Sequence, residues 1–443
     1  MSGKSSSTRR DFLKTSAVVA GSAAAGSTLM SNVHADGPDV IRVGLIGCGG
    51  RGSEAASQCL RGGPNVRLTA MGDAFRDRLQ GSLTGLQRDN RIRQNIDVPA
   101  SRQFTGLDAY QGVIQNCDLV VLATPPGFRP IHIHAAIAAR KHVFTEKPVA
   151  VDGPGIRSVL ADFEEANRRH LSVVAGTQRR NENNYLESMR RIHGGEIGTI
   201  TSARCYWNQG GLWHANRREG MSDVEWQIRN WLYFTWLSGD HICEQHIHNL
   251  DVVNWALGNS HPIRAVGMGG RQVRTGPEFG HIFDHFAIDY EYPNGVHVMS
   301  MCRQINGCEN NVSEAIVGTR GMWASNHTIM GYPERAGGPM VRRWSYGRRA
   351  GDPNPYEQEH VALIQSIRNN RPVNDLKNVA ESTLTAIMGR LTAYTGRAIS
   401  WGQALNSDRP VDQGGLAMQS LMPARLTMNM ELPVPRVAMP GQA

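Results

Sequence analysis

The chain has 443 residues, enough for two domains that each bury a core, and its 40% hydrophobic and 19% charged residues are those of a soluble globular protein. The net charge of +8 comes from scattered arginines rather than a basic run, and no basic stripe interleaves with aromatics, so nucleic-acid binding is a poor reading. Seven cysteines, odd in number and without CxxC spacing, supply no disulfide framework.

Residues Thr8 to Lys14 carry a twin-arginine pattern at Arg9 and Arg10, followed by a weakly apolar Ala/Gly/Ser stretch from Ala17 to Leu29 and a cleavage candidate at Val33-His34-Ala35. Residues 1–35 therefore read as an address, with the periplasm or another exported location expected. The stretch is too short and too rich in small residues for a membrane span, so no transmembrane segment is expected in the mature chain.

Val40 to Ile46 is apolar and β-branched enough for a buried strand, and Ser53 to Leu60 reads as the start of a helix. Between them lies Gly47-Cys48-Gly49-Gly50-Arg51-Gly52, in the strand–turn–helix context of a dinucleotide fingerprint. Gly47 permits the tight turn, Gly49 lets the backbone approach a pyrophosphate, and Gly52 lets helix pack on strand. Cys48 needs only to be small. Val66 to Met71 supplies a second strand, with Asp73 at its end, about twenty residues past the fingerprint. A carboxylate there accepts both ribose hydroxyls and repels a 2′-phosphate, which favours NAD, with NADP kept as the alternative because Arg76 and Arg78 follow closely.

The alternation continues. Leu107–Ile114 reads as a helix, Asp118–Ala123 as a buried strand, His132–Ala139 as a helix, His142–Phe144 as a strand, Gly155–Arg169 as a helix and Leu171–Gly176 as a strand. Strands and helices at this spacing imply a parallel sheet covered on both faces, whose ligands bind beyond the carboxyl ends of the strands. Thr124, Pro125, Glu146 and Lys147 fall at such ends and should border the dinucleotide. A lysine there can hydrogen-bond a substrate hydroxyl and steady developing oxyanion character, and Pro148 fixes φ beside it.

From Gln178 the texture changes. Thr199–Tyr206, Ile263–Met268, Asp284–Tyr292, Val296–Met301 and Glu314–Val317 read as strands mostly joined without helices, with a hairpin turn at Tyr292 to Val296, so a mainly antiparallel open sheet is expected. One helix, roughly Gly239 to Leu257, interrupts them. At helical spacing Asp240, Glu244, His248 and Asp251 share a face, and a carboxylate one turn before His248 would fix its tautomer as a base for a sugar hydroxyl. His246 reads as packing. His241, Glu244, His246 and His248 are all metal-ligand types, but His246 and His248 diverge and no HExxH is present, so no metal is expected.

The fingerprint at Gly47, Asp73, Thr124-Pro125-Pro126, Lys141 to Pro148, Gly176 to Arg180 and His248 to Asp251 together resemble the Gfo/Idh/MocA oxidoreductases over residues 38–405. The resemblance implies an α/β Rossmann domain (36–177), an α+β substrate domain (178–405), a catalytic lysine at Lys147 and a catalytic histidine at His248. Glu244 stands where an aspartate is usual, either orienting His248 or touching substrate. Arg179 and Tyr185 open the substrate domain as hydroxyl binders or as supports of the domain junction. Tyr206 to His214, with Trp207 and His214, offers ring-stacking surface or core packing.

Tyr356–Asn369 and Val379–Gly396 read as closing helices, and residues 406–443, rich in Pro and Met, as an extended arm that crosses a partner subunit. A homo-oligomer is expected. The expected activity is hydride transfer from a sugar, sugar derivative or cyclic polyol to a tightly bound NAD, since an exported enzyme meets little free NAD. Redox-neutral glycoside cleavage by transient oxidation is the alternative, and a non-catalytic sensor the third reading.

Overall fold

The computed structural model describes residues 40–347 and 351–442, so the twin-arginine segment lies outside the described residues. Strands β1 (Ile41–Ile46), β2 (Val66–Asp73), β3 (Gln103–Thr105), β4 (Leu119–Leu122), β5 (His142–Thr145) and β6 (Val173–Ala175) form a parallel sheet in the order β3-β2-β1-β4-β5-β6. Its central strands are near-continuous apolar runs because helices cover both faces. The covering helices are α1 (Gly50–Arg61), α2 (Arg76–Arg88), α3 (Ala109–Gln115), α4 (Arg129–Ala138) and α5 (Gly153–Arg168). The order reverses between β1 and β4, and the crevice above that switch point is where such a sheet takes a ligand.

After α6 (Asn183–His193) comes β7 (Ile200–Gln209), then the aromatic helix α7 (Asp223–Arg229), two single turns at Thr235–Ser238 and His241–Glu244, and α8 (Ile247–Ala256). Strands β8 (Arg264–Gly270), β9 (His285–Tyr292), β10 (Val296–Gln304), β11 (Asn311–Gly318), β12 (Gly321–Ala324), β13 (Thr328–Gly331), β14 (Val341–Ser345) and β15 (Ile399–Ser400) complete the second sheet. Among the described residues it has nine strands in the order β14-β13-β12-β11-β7-β10-β9-β8-β15. Asn294 and Gly295, both left-handed, close the β9–β10 hairpin. The sheet departs from a pure antiparallel pattern at one pair, because β10 lies beside β7 and runs parallel to it.

Two late helices tie the sheets together. α9 (Pro355–Arg368) packs on α1, sending Leu363 and Ile364 into the core under β1. α10 (Leu376–Thr395) is buried almost all round, because α5 and β6 cover one side and β8 and β9 the other. Near the end of the chain Leu421, Met422, Leu426, Met428, Met430 and Leu432 pack on the apolar cluster around α7 of their own chain. No helix among the described residues is long and apolar enough to cross a membrane.

Candidate active site

The turn after β1 is built by glycine. Gly47 has φ +94°, and a Cβ there would lie 2.7 Å from the backbone of Ala123 and Thr124. A Cβ on Gly52 would lie 1.9 Å from the Gly47 carbonyl oxygen, whereas nothing lies within 4 Å of one on Gly49 or Gly50. This chain's own packing therefore requires two of the glycines, while Gly49 leaves open the approach to the first turn of α1. No side chain caps that turn and no acidic residue occupies it. Free N–H groups at a helix N-terminus suit a pyrophosphate.

Asp73 ends β2 beside this turn. Its Oδ2 accepts the Cys48 N–H at 2.7 Å and its Oδ1 the Phe75 N–H at 2.9 Å, and burial pushes its carboxyl up from the ordinary range. Each oxygen keeps a lone pair for a ribose hydroxyl. The Cys48 thiol is buried against the Gly72 carbonyl, and burial pushes it well up, away from thiolate chemistry. Between Gly49, Asp73, Thr124 and Pro125 opens a cavity of about 520 Å³, which Arg78 also lines and Arg76 does not. The Thr124 hydroxyl shares a 3.1 Å hydrogen bond with His132, a ring that burial pushes down to about 3 and so keeps neutral.

Arg51 lines the same cavity, but its guanidinium is committed to three carboxylates, Glu146 at 2.5 Å, Glu359 at 3.1 Å and exposed Glu54 at 3.6 Å. The other Glu146 oxygen accepts the Lys147 N–H at 3.2 Å. Glu146 is thus a brace between the glycine turn and the lysine, and α9 adds Glu359 from below. Burial, then the Glu146 charge, pushes the Glu359 carboxyl well up.

Lys147 leaves the end of β5 and meets the second domain directly. Its Nζ donates to the Glu244 carbonyl at 2.5 Å and to Glu244 Oε1 at 3.2 Å, with the two side chains 11% and 13% exposed. The expected continuous helix through Glu244 and His248 is broken. Gly239 and Asp240 are left-handed (φ +75° and +73°), the turn His241–Glu244 ends at Gln245, and α8 restarts at Ile247.

Asp240, Glu244, His248 and Asp251 accordingly do not share a face. Asp240 is fully buried in the core, where it accepts from the Phe283 N–H at 2.9 Å and the Tyr394 hydroxyl at 2.6 Å. Asp251 pairs with Arg180 at 2.8 Å. Glu244 faces Lys147 and makes no hydrogen bond to His248 among the described residues. The His248 ring stacks on Trp207 with centroids 5.6 Å apart, and burial, then the charges of Lys147, Arg179 and Arg51, hold it well below its ordinary value. Both it and Lys147 stop short of lining the nucleotide cavity itself.

Arg179 and Tyr185 are not placed as substrate binders. Both turn inward onto buried Glu314, Arg179 as an ion pair and Tyr185 through its hydroxyl at 3.2 Å. Ring and guanidinium are covered because β11 carries Glu314 on its inner face and needs its charge neutralised. Arg179 also lies over Trp207 at 5.7 Å, so this buried set supports the ring that supports His248. The Tyr206–His214 stretch divides: Trp207 stands at His248, half-exposed Trp213 lines the nucleotide cavity, and exposed His214 sits edge-on to Phe279 at 5.4 Å. The sequence reading passed over Arg129, buried with its Nη1 on the Pro148 carbonyl at 2.5 Å, and over Ile228, Arg229 and Trp231, which line the cavity from the second domain. A signal for the latter existed in the crowding of Trp226, Trp231, Tyr233, Phe234 and Trp236.

His241 and His246 lie apart from any shared ligand position: His246 bonds Ser300 at 2.7 Å and His241 sits against Phe286. Among the described residues no group of three His, Cys, Asp or Glu side chains could hold a metal ion.

Two family models match consecutive parts of the chain. Residues 41–174 match the oxidoreductase family with NAD-binding Rossmann fold of the Gfo/Idh/MocA group, and residues 185–324 its C-terminal domain. The 2,7-anhydro-N-acetylneuraminate hydratase of Escherichia coli K12 is 30% identical over 178 residues, 40% of this chain and 43% of that protein. An inositol 2-dehydrogenase of Acidothermus cellulolyticus is 28% identical over 242 residues, 54% of this chain and 60% of that protein. The chain thus spans about half the length of the curated relatives it matches. The scyllo-inositol dehydrogenase of Lactobacillus casei, solved with NAD(H) and scyllo-inositol, shares the fold at a TM-score of 0.60 and 18% identity, covering 82% of this chain and 99% of that one.

Proposed function

The chain belongs to the Gfo/Idh/MocA oxidoreductases, whose Rossmann fold binds NAD, and from that premise we propose that it oxidises a CH–OH group of a sugar, sugar derivative or cyclic polyol. The observation that carries the proposal is the meeting of Lys147 from one domain with Glu244 and His248 from the other, braced through Glu146 to a cavity-lining arginine.

Gly47, Gly49, Gly52 and Asp73 hold the dinucleotide, with Thr124 and Pro125 along the crevice. When bound, NAD supplies the hydride acceptor. His248, kept neutral near pH 7 by burial and neighbouring cations, takes the proton of the substrate hydroxyl. The Lys147 ammonium donates a hydrogen bond to the same oxygen as its carbon becomes a carbonyl. Glu244 steers that ammonium, and Trp207 holds the imidazole and offers its ring to the sugar. The inositol dehydrogenases among the relatives support this substrate class. The hydratase supports the second reading, cleavage through transient oxidation with no net redox change.

The test is incubation with panels of polyols, free sugars and aryl glycosides. A reduced cofactor is the expected result, aglycone release without net reduction would put the second reading first, and inertness of every compound would overturn both. We read Arg9 and Arg10 as an export signal, to be checked by fractionating cells that express the arginine-to-lysine variant.

The open face of the second sheet is the proposed seat of a second copy. Val266, Met268, Met299 and Met301 are exposed there, and the row Val266–Asp289–Met299–Arg204 sets opposite charges on either side of a methionine. A two-fold axis along β10 would lay each Arg204 on the other copy's Asp289. Sedimentation should show an oligomer that Met299→Asp dissociates; an unchanged mass in the variant would refute the placement.

A further inference from the structure

The far end of the nucleotide cavity is lined from the other domain. Asp73, Phe75, Gly106 and Leu107 line it beyond β2 and β3, the side on which a Rossmann sheet holds the adenosine half, and over them lie Trp213, Ile228, Arg229 and Trp231. These four belong to one segment, Trp213 to Trp231, fastened at three levels.

The first fastening ties the segment to the nucleotide domain. Arg229 donates to both Asp77 oxygens on α2 at 3.0 and 3.1 Å, lies 3.7 Å from the Phe75 ring centroid, and is braced by Glu225 at 2.9 Å. A two-pronged guanidinium–carboxylate bond over an aromatic face is among the stronger polar contacts a surface can make, and Arg229 is only 14% exposed in its side chain. The second fastening is internal. Buried Asn230 accepts the Ala215 N–H at 2.7 Å and donates to the Glu278 carbonyl at 2.6 Å, so both ends of the segment share one anchor.

The third fastening comes from far along the chain. Ser222 bonds the Met428 carbonyl, Asp223 accepts the Leu432 N–H at 2.9 Å, and fully buried Gln227 donates to the Leu432 carbonyl at 2.5 Å. Met428, Met430 and Leu432, each partly buried, pack against the apolar cluster around the same helix. A loop that needed to open in every turnover would not be pinned from behind by a second segment of chain.

We propose that Trp213–Trp231 is a lid over the adenosine end, latched by Arg229 on Asp77 and strapped by residues 421–432, so that the nucleotide stays bound between turnovers. The proposal rests on the NAD assignment and adds that exchange is blocked by this segment. It also implies that the hydride must be returned within the site, by a second substrate or by the same one.

Asp77 tests the latch because it lies outside the 520 Å³ cavity that Arg229 lines, bordering only a smaller recess beside Gly49 and Gly50, and its side chain is 61% exposed, so Asp77→Ala should remove the latch at little cost in packing. Wild type, Asp77→Ala and Arg229→Ala are unfolded in urea and refolded with saturating NADH, so that nucleotide enters before the strap docks, and its release is followed by nicotinamide fluorescence after a chase of excess NAD. Wild type should retain NADH through gel filtration, and both variants should release it at least tenfold faster. Release from Asp77→Ala within twofold of wild type would overturn the latch, even if Arg229→Ala were faster. Absence of bound-nicotinamide fluorescence before the chase, in wild type refolded with saturating NADH, would instead remove the dinucleotide assignment beneath it.

Discussion

Replacing Lys147 with alanine should do two separable things. The ammonium and the Glu244 carboxylate are 11% and 13% exposed, so removing one leaves the other as a nearly buried charge. Stranding a fully buried partner costs about 3–5 kcal/mol. Here Arg129, whose guanidinium is also within the field of Glu244, offsets part of that, and a loss of about 2 kcal/mol is expected. The chemical loss is independent of this: without the donor to the reacting oxygen, turnover should fall by about 10²–10⁴-fold.

A double variant, Lys147→Met with Glu244→Gln, removes both charges at similar volume. It should recover stability to within about 1 kcal/mol of wild type while remaining inactive. Urea unfolding followed by tryptophan fluorescence measures the first quantity, and single-turnover cofactor reduction with the substrate found in the panel measures the second. Turnover within tenfold of wild type in a stable double variant would refute the chemical role of the lysine; a Lys147→Ala protein as stable as wild type would refute the ion-pair argument.

The glycine turn makes a paired prediction. Gly52→Ala drives a Cβ to 1.9 Å from the Gly47 carbonyl and should lower stability by about 1–3 kcal/mol, whereas Gly49→Ala meets nothing within 4 Å and should leave the apo melting temperature nearly unchanged while weakening NAD binding at least tenfold. Equal nucleotide affinity in wild type and Gly49→Ala would show that the pyrophosphate does not pass there.

Buried His246, pushed down to about 3, stays neutral in the folded chain while its unfolded counterpart protonates below about pH 6.5. The unfolded state thus binds more protons between those values, so this contribution is complete above about pH 6.5 and is lost as pH falls towards 3. Between pH 7 and 5 wild type should lose about 2 kcal/mol more than His246→Gln, read from urea midpoints at the two pH values; parallel losses would contradict the assigned burial.

Most of the nucleotide domain was legible because its signals are local. Asp73 sits at a strand end, Gly47 to Gly52 follow an apolar run, and each helix carries its own periodicity. Even α2, absent from the predicted elements, marks its buried face with Leu79, Leu83 and Leu86. The second domain was less legible because its decisive contacts are long-range. No spacing rule foretells that Glu314, on a strand more than a hundred residues away, draws Arg179 and Tyr185 inward, or that Asp240 leaves its helix face to satisfy Phe283 and Tyr394.

Helical spacing brought Glu244 and His248 together on paper. The left-handed Gly239–Asp240 pair and the break at Gln245 undo that geometry, and Glu244 finds Lys147 instead. The inward packing of residues 421–432 was not legible, because methionines and prolines look alike in sequence whether they meet a partner or their own chain.

The strap over α7 also sets an order of events during synthesis. Residues 421–432 leave the ribosome roughly two hundred residues after the helix they fasten, which at about 5–20 residues per second is on the order of ten to forty seconds. Throughout that interval the nucleotide domain and its cover can fold while the clasp does not yet exist. On the latch proposed above, the newborn chain has a brief loading period, and the amount of dinucleotide it meets before the last segment docks would set its cofactor content.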